Sequence, residues 1–110
     1  MVLLEGYLAK KITYPKHEIH IVVTATAKSV LAPSWDLLDD WKNKKINWEE
    51  YTKRFIMEII TNPEAIKEMK HIKELAKTKD VRLICYEKQY PCHRFILIHL
   101  IEIFKVSEEQ

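Results

Sequence analysis

The 110-residue chain has a single glycine, only two cysteines and almost no surplus of either charge. It also lacks a long apolar run: the stretch near the C-terminus is broken by His99 and Glu102, too soon to cross a bilayer, so no membrane partner is expected. The opening MVLLEGYLAKK has neither the basic start, the long apolar middle nor the small-residue cleavage site of a secretion signal. A cytoplasmic location is the resulting expectation. Net charge is +2, from 18 basic and 16 acidic residues. Much of that charge pairs at helical spacing, as in Glu49 with Lys53 and Glu50 with Arg54. Proteins that grip nucleic acid through its phosphates carry a larger or more segregated basic excess, so that partner is disfavoured. The Lys-rich stretch from Lys67 to Lys79 is interleaved with Glu68 and Glu74 and reads as a solvated helix face.

What is present suits one small globular domain over residues 1–110, with no repeat, linker or low-complexity segment. Apolar residues make up 47% and charged residues 31%, which excludes a disordered chain. Abundant Lys, Glu and Ile beside one glycine resembles the composition of heat-loving proteins. Extended pieces are expected around Leu3 to Leu8 and Ile12 to Tyr14, ending at Pro15. EIHIVVTA, residues 18 to 25, is β-branched and apolar enough to be a strand covered on both faces. Ser34 and Asn47 are placed to cap helices from Trp35 to about Lys44 and from Asn47 onward, and Asn62-Pro63 starts a third helix to about Lys77. VRLICYE is a second buried strand, and Pro91 begins a last helix running to about Phe104. The order strand, helices, strand, helix predicts an α/β fold: a small three-layer sandwich with a short, mostly parallel sheet flanked by helices.

Both cysteines fall in CYEKQYPCHR, residues 85 to 94, where the second strand gives way to the last helix. Ligands of open parallel sheets sit beyond the carboxyl ends of the strands. Pro91 would put Cys92 and His93 in the first helical turn, where unpaired N–H groups and the positive dipole end favour an anion. A cysteine there tends towards thiolate, and Arg94 adds a permanent cation with a planar donor fork. One reading makes Cys92 a nucleophile, with His93 or Glu87 handling protons and Arg94 holding an anionic small molecule. A second pairs Cys85 with Cys92 as a disulfide or redox couple, which the cytosol disfavours. A third is a metal site from Cys85, Cys92, His93 and Glu87, disfavoured because six residues separate the cysteines and adjacent helical residues point about 100° apart. In the bland alternative Cys85 packs as a small hydrophobe while Cys92 and Arg94 cap and orient the helix. No metal or cofactor is implied.

The pattern Cys85-x-Glu87 followed by Cys92-His93-Arg94, after an apolar strand, resembles the domain of unknown function (DUF) family 488. LAPSWDLLDDWK and INWEEYTKRF are similar to that family's middle region, with its Tyr-x-x-Arg pattern at Tyr51 and Arg54. The resemblance spans roughly residues 18 to 104 and implies a small α/β fold and a site, but no reaction. Relatives tend to end the first strand with an aspartate and a nearby arginine, whereas this chain has VVTATAK. Thr24, Thr26, Lys28 and Ser29 are expected to face the site instead, with Lys28 as the replacement cation. The working expectation is a soluble protein that binds an anionic small ligand and uses cysteine chemistry; the alternative is a non-catalytic interaction or regulatory module. Trp35, Trp41 and Trp48 read as core and inter-helix packing, with a stacking surface or partner groove as the alternative, and His17, His20, His71 and His99 as residues without a role at the site. The apolar girth of the last helix points to cover by the N-terminal segment or by a second copy, as in a homodimer.

Overall fold

A computed structural model describes residues 2–85 and 92–103. It contains strand β1 (Leu3–Tyr7), a 3-10 helix (Leu8–Thr13), strand β2 (Ile19–Val22), helices α1 (Trp35–Lys42), α2 (Trp48–Ile60) and α3 (Pro63–Leu75), strand β3 (Val81–Cys85) and helix α4 (His93–Ile103). The strands form one parallel sheet in the order β1-β3-β2, so the last strand in sequence is the central one. β2, α1, α2, α3 and β3 therefore make the expected strand–helices–strand crossover. The segment expected to be extended around Ile12 belongs instead to the 3-10 helix. β2 is shorter than expected and only half-buried, because it lies at the sheet edge.

Register assigns the two faces. Leu3, Val81 and Ile19 are partners, as are Glu5, Leu83 and Ile21, and Tyr7 pairs with Cys85. Side chains alternate along a strand, so these positions share one face. Val81 and Leu83 on that face join one continuous core with Phe55, Ile59, Met69, Ile72, Leu97 and Ile101 of the helices. Fully burying a side chain of this size contributes roughly 1.5–3 kcal/mol. On the opposite face the cover is Tyr14, beyond the 3-10 helix. The Arg82 guanidinium lies 4.2 Å over its ring centroid, and its hydroxyl accepts from the Tyr7 N–H at 3.0 Å. A Cβ on Gly6 would sit 2.7 Å from the Tyr14 ring, which accounts for the chain's one glycine.

Caps set the helix ends. Ser34 Oγ accepts from the Leu37 N–H and donates to Glu58 of α2, so one side chain both starts α1 and ties it to its neighbour. Asn47 and Asn62 accept from the N–H groups of Glu50 and Glu64. α1 stops in a Schellman turn: Lys45 N–H donates to Asp40 C=O, Lys44 N–H to Trp41 C=O, and Lys44 has a φ of 59°, left-handed like that of Lys28. Arg54 reaches from α2 to Asp40 of α1 at 2.8 Å, which gives the Tyr-x-x-Arg pattern a structural meaning. Lys73 of α3 donates to the carbonyls of Ile101 and Glu102, satisfying the end of α4. Among the described residues no helix is long and apolar enough to cross a membrane.

Candidate functional site

Two elements, β3 and the start of α4, deliver three donor atoms to one place. Cys85 ends β3 on its helix-facing side. Cys92 immediately precedes α4, and His93 is the first residue of that helix. The expectation had placed Cys92 inside the first turn. In its actual place Cys92 is a capping residue, its carbonyl accepting from the Phe95 N–H and its sulfur from the Arg94 N–H. Cys92 and His93 therefore escape the 100° divergence of neighbours within a helix and face the same point.

The Sγ atoms of Cys85 and Cys92 are 2.7 Å apart, and His93 Nδ1 lies 3.5 Å from the first and 3.8 Å from the second. Both cysteines are free thiols. His93 Nε2 is 2.6 Å from the Val23 carbonyl oxygen, just past β2. A carbonyl only accepts, so Nε2 carries the hydrogen and Nδ1 presents its lone pair to the sulfurs in the neutral ring. Phe55 packs edge-on against the imidazole, centroids 5.5 Å apart, and holds the ring plane.

Electrostatics departs from the expectation for Cys92. Its thiol is pushed far up, chiefly by its hydrogen bond to Cys85, then by burial and by the neighbouring sulfur's charge. The Arg94 N–H and guanidinium pull the other way without prevailing. Two sulfurs this close share protons, so Cys92 is the donor of the pair rather than its anion.

Arg94 is also placed differently. Its side chain is 1% exposed, and its Nε donates to Glu5 Oε1 of β1 at 2.9 Å. One step along the helix turns it about 100° from His93, towards the sheet edge instead of the hollow. An anion clamp at Arg94 is thus replaced by a cation tied to Glu5, close enough to the thiols to act on any charge that forms there.

The hollow beside the thiols is a cavity of about 400 Å³, within the usual span for small-ligand sites. Cys85, Cys92 and His93 form one end of its wall, and Thr24 and Thr26 join them from the turn after β2. The Thr24 hydroxyl lies 3.2 Å from that of Thr26 and accepts from the Ala27 N–H. Lys28 and Ser29 are absent from the wall: Lys28 is exposed in its left-handed turn, and the Ser29 hydroxyl accepts from the Leu31 N–H. Glu87 and Pro91 lie outside the described residues.

The opposite wall is where the lesser alternative for the tryptophans, a stacking surface, applies. It adds Tyr51 and Lys42, which sequence reasoning did not place at the site. Trp35 and Trp41 of α1 and Trp48 and Tyr51 of α2 line it, with Lys42 as its cation. Trp48 and Tyr51 stack with centroids 4.7 Å apart, and Trp41 sits 5.3 Å from Trp48, so inter-helix packing also holds as expected. Trp35 is 57% exposed, at the rim. The available signal was positional: an aromatic stripe at helical spacing in the first two crossover helices, which lie beyond the carboxyl ends of the strands.

No curated protein and no solved structure gives a significant match to the chain. A family model does, over residues 15–103: that of DUF488-N3a, described as the active DUF488-N3 subclade. The cysteines, His93 and the aromatic wall all fall within that span, and the chain belongs to the DUF488 family.

Proposed function

We propose that the protein is a small-ligand enzyme whose reactive end is the Cys85–Cys92 thiol pair, with His93 as its base. The observation that carries this reading is the convergence of both Sγ atoms and His93 Nδ1, all within 4.8 Å of one another, on the wall of a ligand-sized cavity. In the proposed mechanism the Cys85 proton passes to His93 Nδ1. Cys92 S–H then donates to the Cys85 thiolate, and the nearby Arg94 charge stabilises it. The thiolate attacks an electrophilic carbon of the ligand, and the leaving group takes the proton from the imidazolium. Cys85 thus replaces Cys92 as the nucleophile.

The wall chemistry narrows the ligand to a molecule with a flat apolar part that packs among the tryptophans. Thr24, Thr26 and Lys42 offer hydroxyls and one cation to its polar or anionic end. The description of the matched subclade as active agrees with turnover. A reducing compartment such as the cytoplasm keeps the pair as thiols. The Arg94–Glu5 bond favours one other reading, a non-catalytic module in which the Cys-His-Arg stretch only orients α4.

The two readings part in one experiment. All three tryptophans line the cavity, so intrinsic fluorescence reports its occupancy. A panel of aromatic and heteroaromatic carboxylates and phosphates is titrated, and hits carrying an electrophilic carbon are then sought as covalent adducts by mass spectrometry. Saturable quenching with an adduct on Cys85, lost in Cys85→Ser, supports the enzyme. Absence of both across the panel overturns it.

A further inference from the structure

The same three donors form a soft-metal site that the spacing of the cysteines in sequence conceals. We propose that Cys85 Sγ, Cys92 Sγ and His93 Nδ1 bind one divalent cation of the zinc class, leaving a fourth position open to the cavity. A tetrahedral zinc with bonds of about 2.3 Å to sulfur and about 2.0–2.1 Å to nitrogen sets S···N separations near 3.5–3.6 Å and an S···S separation near 3.8 Å. Of the two observed S···N distances, 3.5 Å matches and 3.8 Å is about 0.2 Å longer. The sulfurs, at 2.7 Å, need to spread by about 1 Å.

A second observation points to the metal independently of the sulfurs. Metal-bound histidines commonly donate their other ring N–H to a carbonyl or carboxylate, which fixes the tautomer and aims the lone pair. His93 has this arrangement through Val23, and the ring is wedged by Phe55. Two sulfurs and one imidazole make a soft donor set, which selects zinc-like ions over magnesium or calcium. All three residues are buried, yet all three line the cavity, so a fourth ligand reaches the ion from the cavity side. The balance is simple: two thiols and one neutral imidazole take up one dication and release two protons. With both sulfurs bound, neither is free to attack a ligand. That silencing rests on the nucleophile reading above; the occupancy itself does not.

The test uses cobalt(II) as the probe on the full chain, stripped of metal under reducing conditions. One equivalent should produce the intense visible bands of tetrahedral cobalt and a thiolate-to-metal charge-transfer band, with release of two protons measured across buffers. Cys85→Ser, Cys92→Ser and His93→Gln should each weaken binding by more than the roughly 10–100-fold typical of losing an outer partner. His93→Gln can keep an N–H towards Val23 but offers nothing at the Nδ1 position, and circular dichroism verifies that each variant is folded. Zinc loading should also stop alkylation by iodoacetamide. Absence of the charge-transfer band in the wild type, or affinity unchanged in folded variants, overturns the metal site. The thiol reading fails separately, if the metal-free protein is not alkylated at Cys85.

Discussion

His93 is pinned by Val23: its Nε2 lies 2.6 Å from a carbonyl oxygen 70 residues earlier in the chain. That bond decides which nitrogen meets the thiols, and it joins the end of β2 to the start of α4. The site is thus a junction of the crossover's two ends, with the sheet supplying Cys85 between them.

Cys92 predicts a pH dependence of stability in the metal-free protein. Its pKa is raised in the folded state, so the folded chain holds this proton more tightly than the unfolded chain does. The contribution is full below the unfolded value of about 8.5 and is lost as pH rises above it. Urea midpoints between pH 7 and pH 10 should fall more steeply for the wild type than for Cys92→Ala. Parallel curves would contradict the shared-proton account.

Glu18 makes the opposite case on the far face of the sheet. Both its carboxylate oxygens accept from Arg82, at 2.7 Å each, and the hydrogen bond to Arg82 is the main cause of its lowered pKa. Its stabilising share is therefore present above the unfolded value of about 4.3 and lost as pH falls through the folded one. Glu18→Gln should cost roughly 1–3 kcal/mol at pH 7, because Arg82 loses its charged partner and keeps the Glu5 carbonyl and the Tyr14 ring. The difference from the wild type should shrink towards pH 3; a constant difference in denaturant midpoints would count against it.

Gly6 is required by contact. Its backbone passes so close to Tyr14 that Gly6→Ala must displace the ring that carries Arg82. Thermal unfolding should show a loss of about 1–3 kcal/mol, the usual cost of overpacking. In a Gly6→Ala/Tyr14→Leu double variant the added methyl should cost less.

Lys44 stands where helices most often place glycine, with positive φ at the end of α1. Lys44→Gly should raise stability by roughly 0.5–1 kcal/mol, since left-handed strain outweighs the extra freedom of the unfolded glycine. An unchanged or lowered denaturant midpoint would show that the Lys44 side chain compensates.

Much of this fold is legible in local signals. Ser34, Asn47 and Asn62 announce their helices because a cap is a short-range bond between residues two or three apart. VRLIC reads as a buried strand, and four of its five residues are buried. The 3-10 helix was not legible: Leu8–Thr13 has no periodicity to distinguish it from extended chain. The site was half legible. Cys85, Cys92 and His93 were picked out as a cluster, and they do meet. Arg94 could not be oriented from sequence, since its direction depends on where α4 starts relative to Cys92, and Lys28 depends on a left-handed turn that no glycine marked. The partnership of His93 with the Val23 carbonyl, and of the thiols with Trp41 and Trp48, exists only once the crossover has folded.

The central claim is that His93 drives thiol chemistry at the wall of the cavity, and the rate of alkylation tests it most directly. Metal-free, reduced protein is treated with iodoacetamide at pH 7, and adducts are mapped by peptide mass spectrometry in the wild type and His93→Gln. The account predicts a single dominant adduct on Cys85 and a rate at least about tenfold lower in the variant. Equal rates in the two folded proteins, or thiols left unmodified in the wild type, would contradict it.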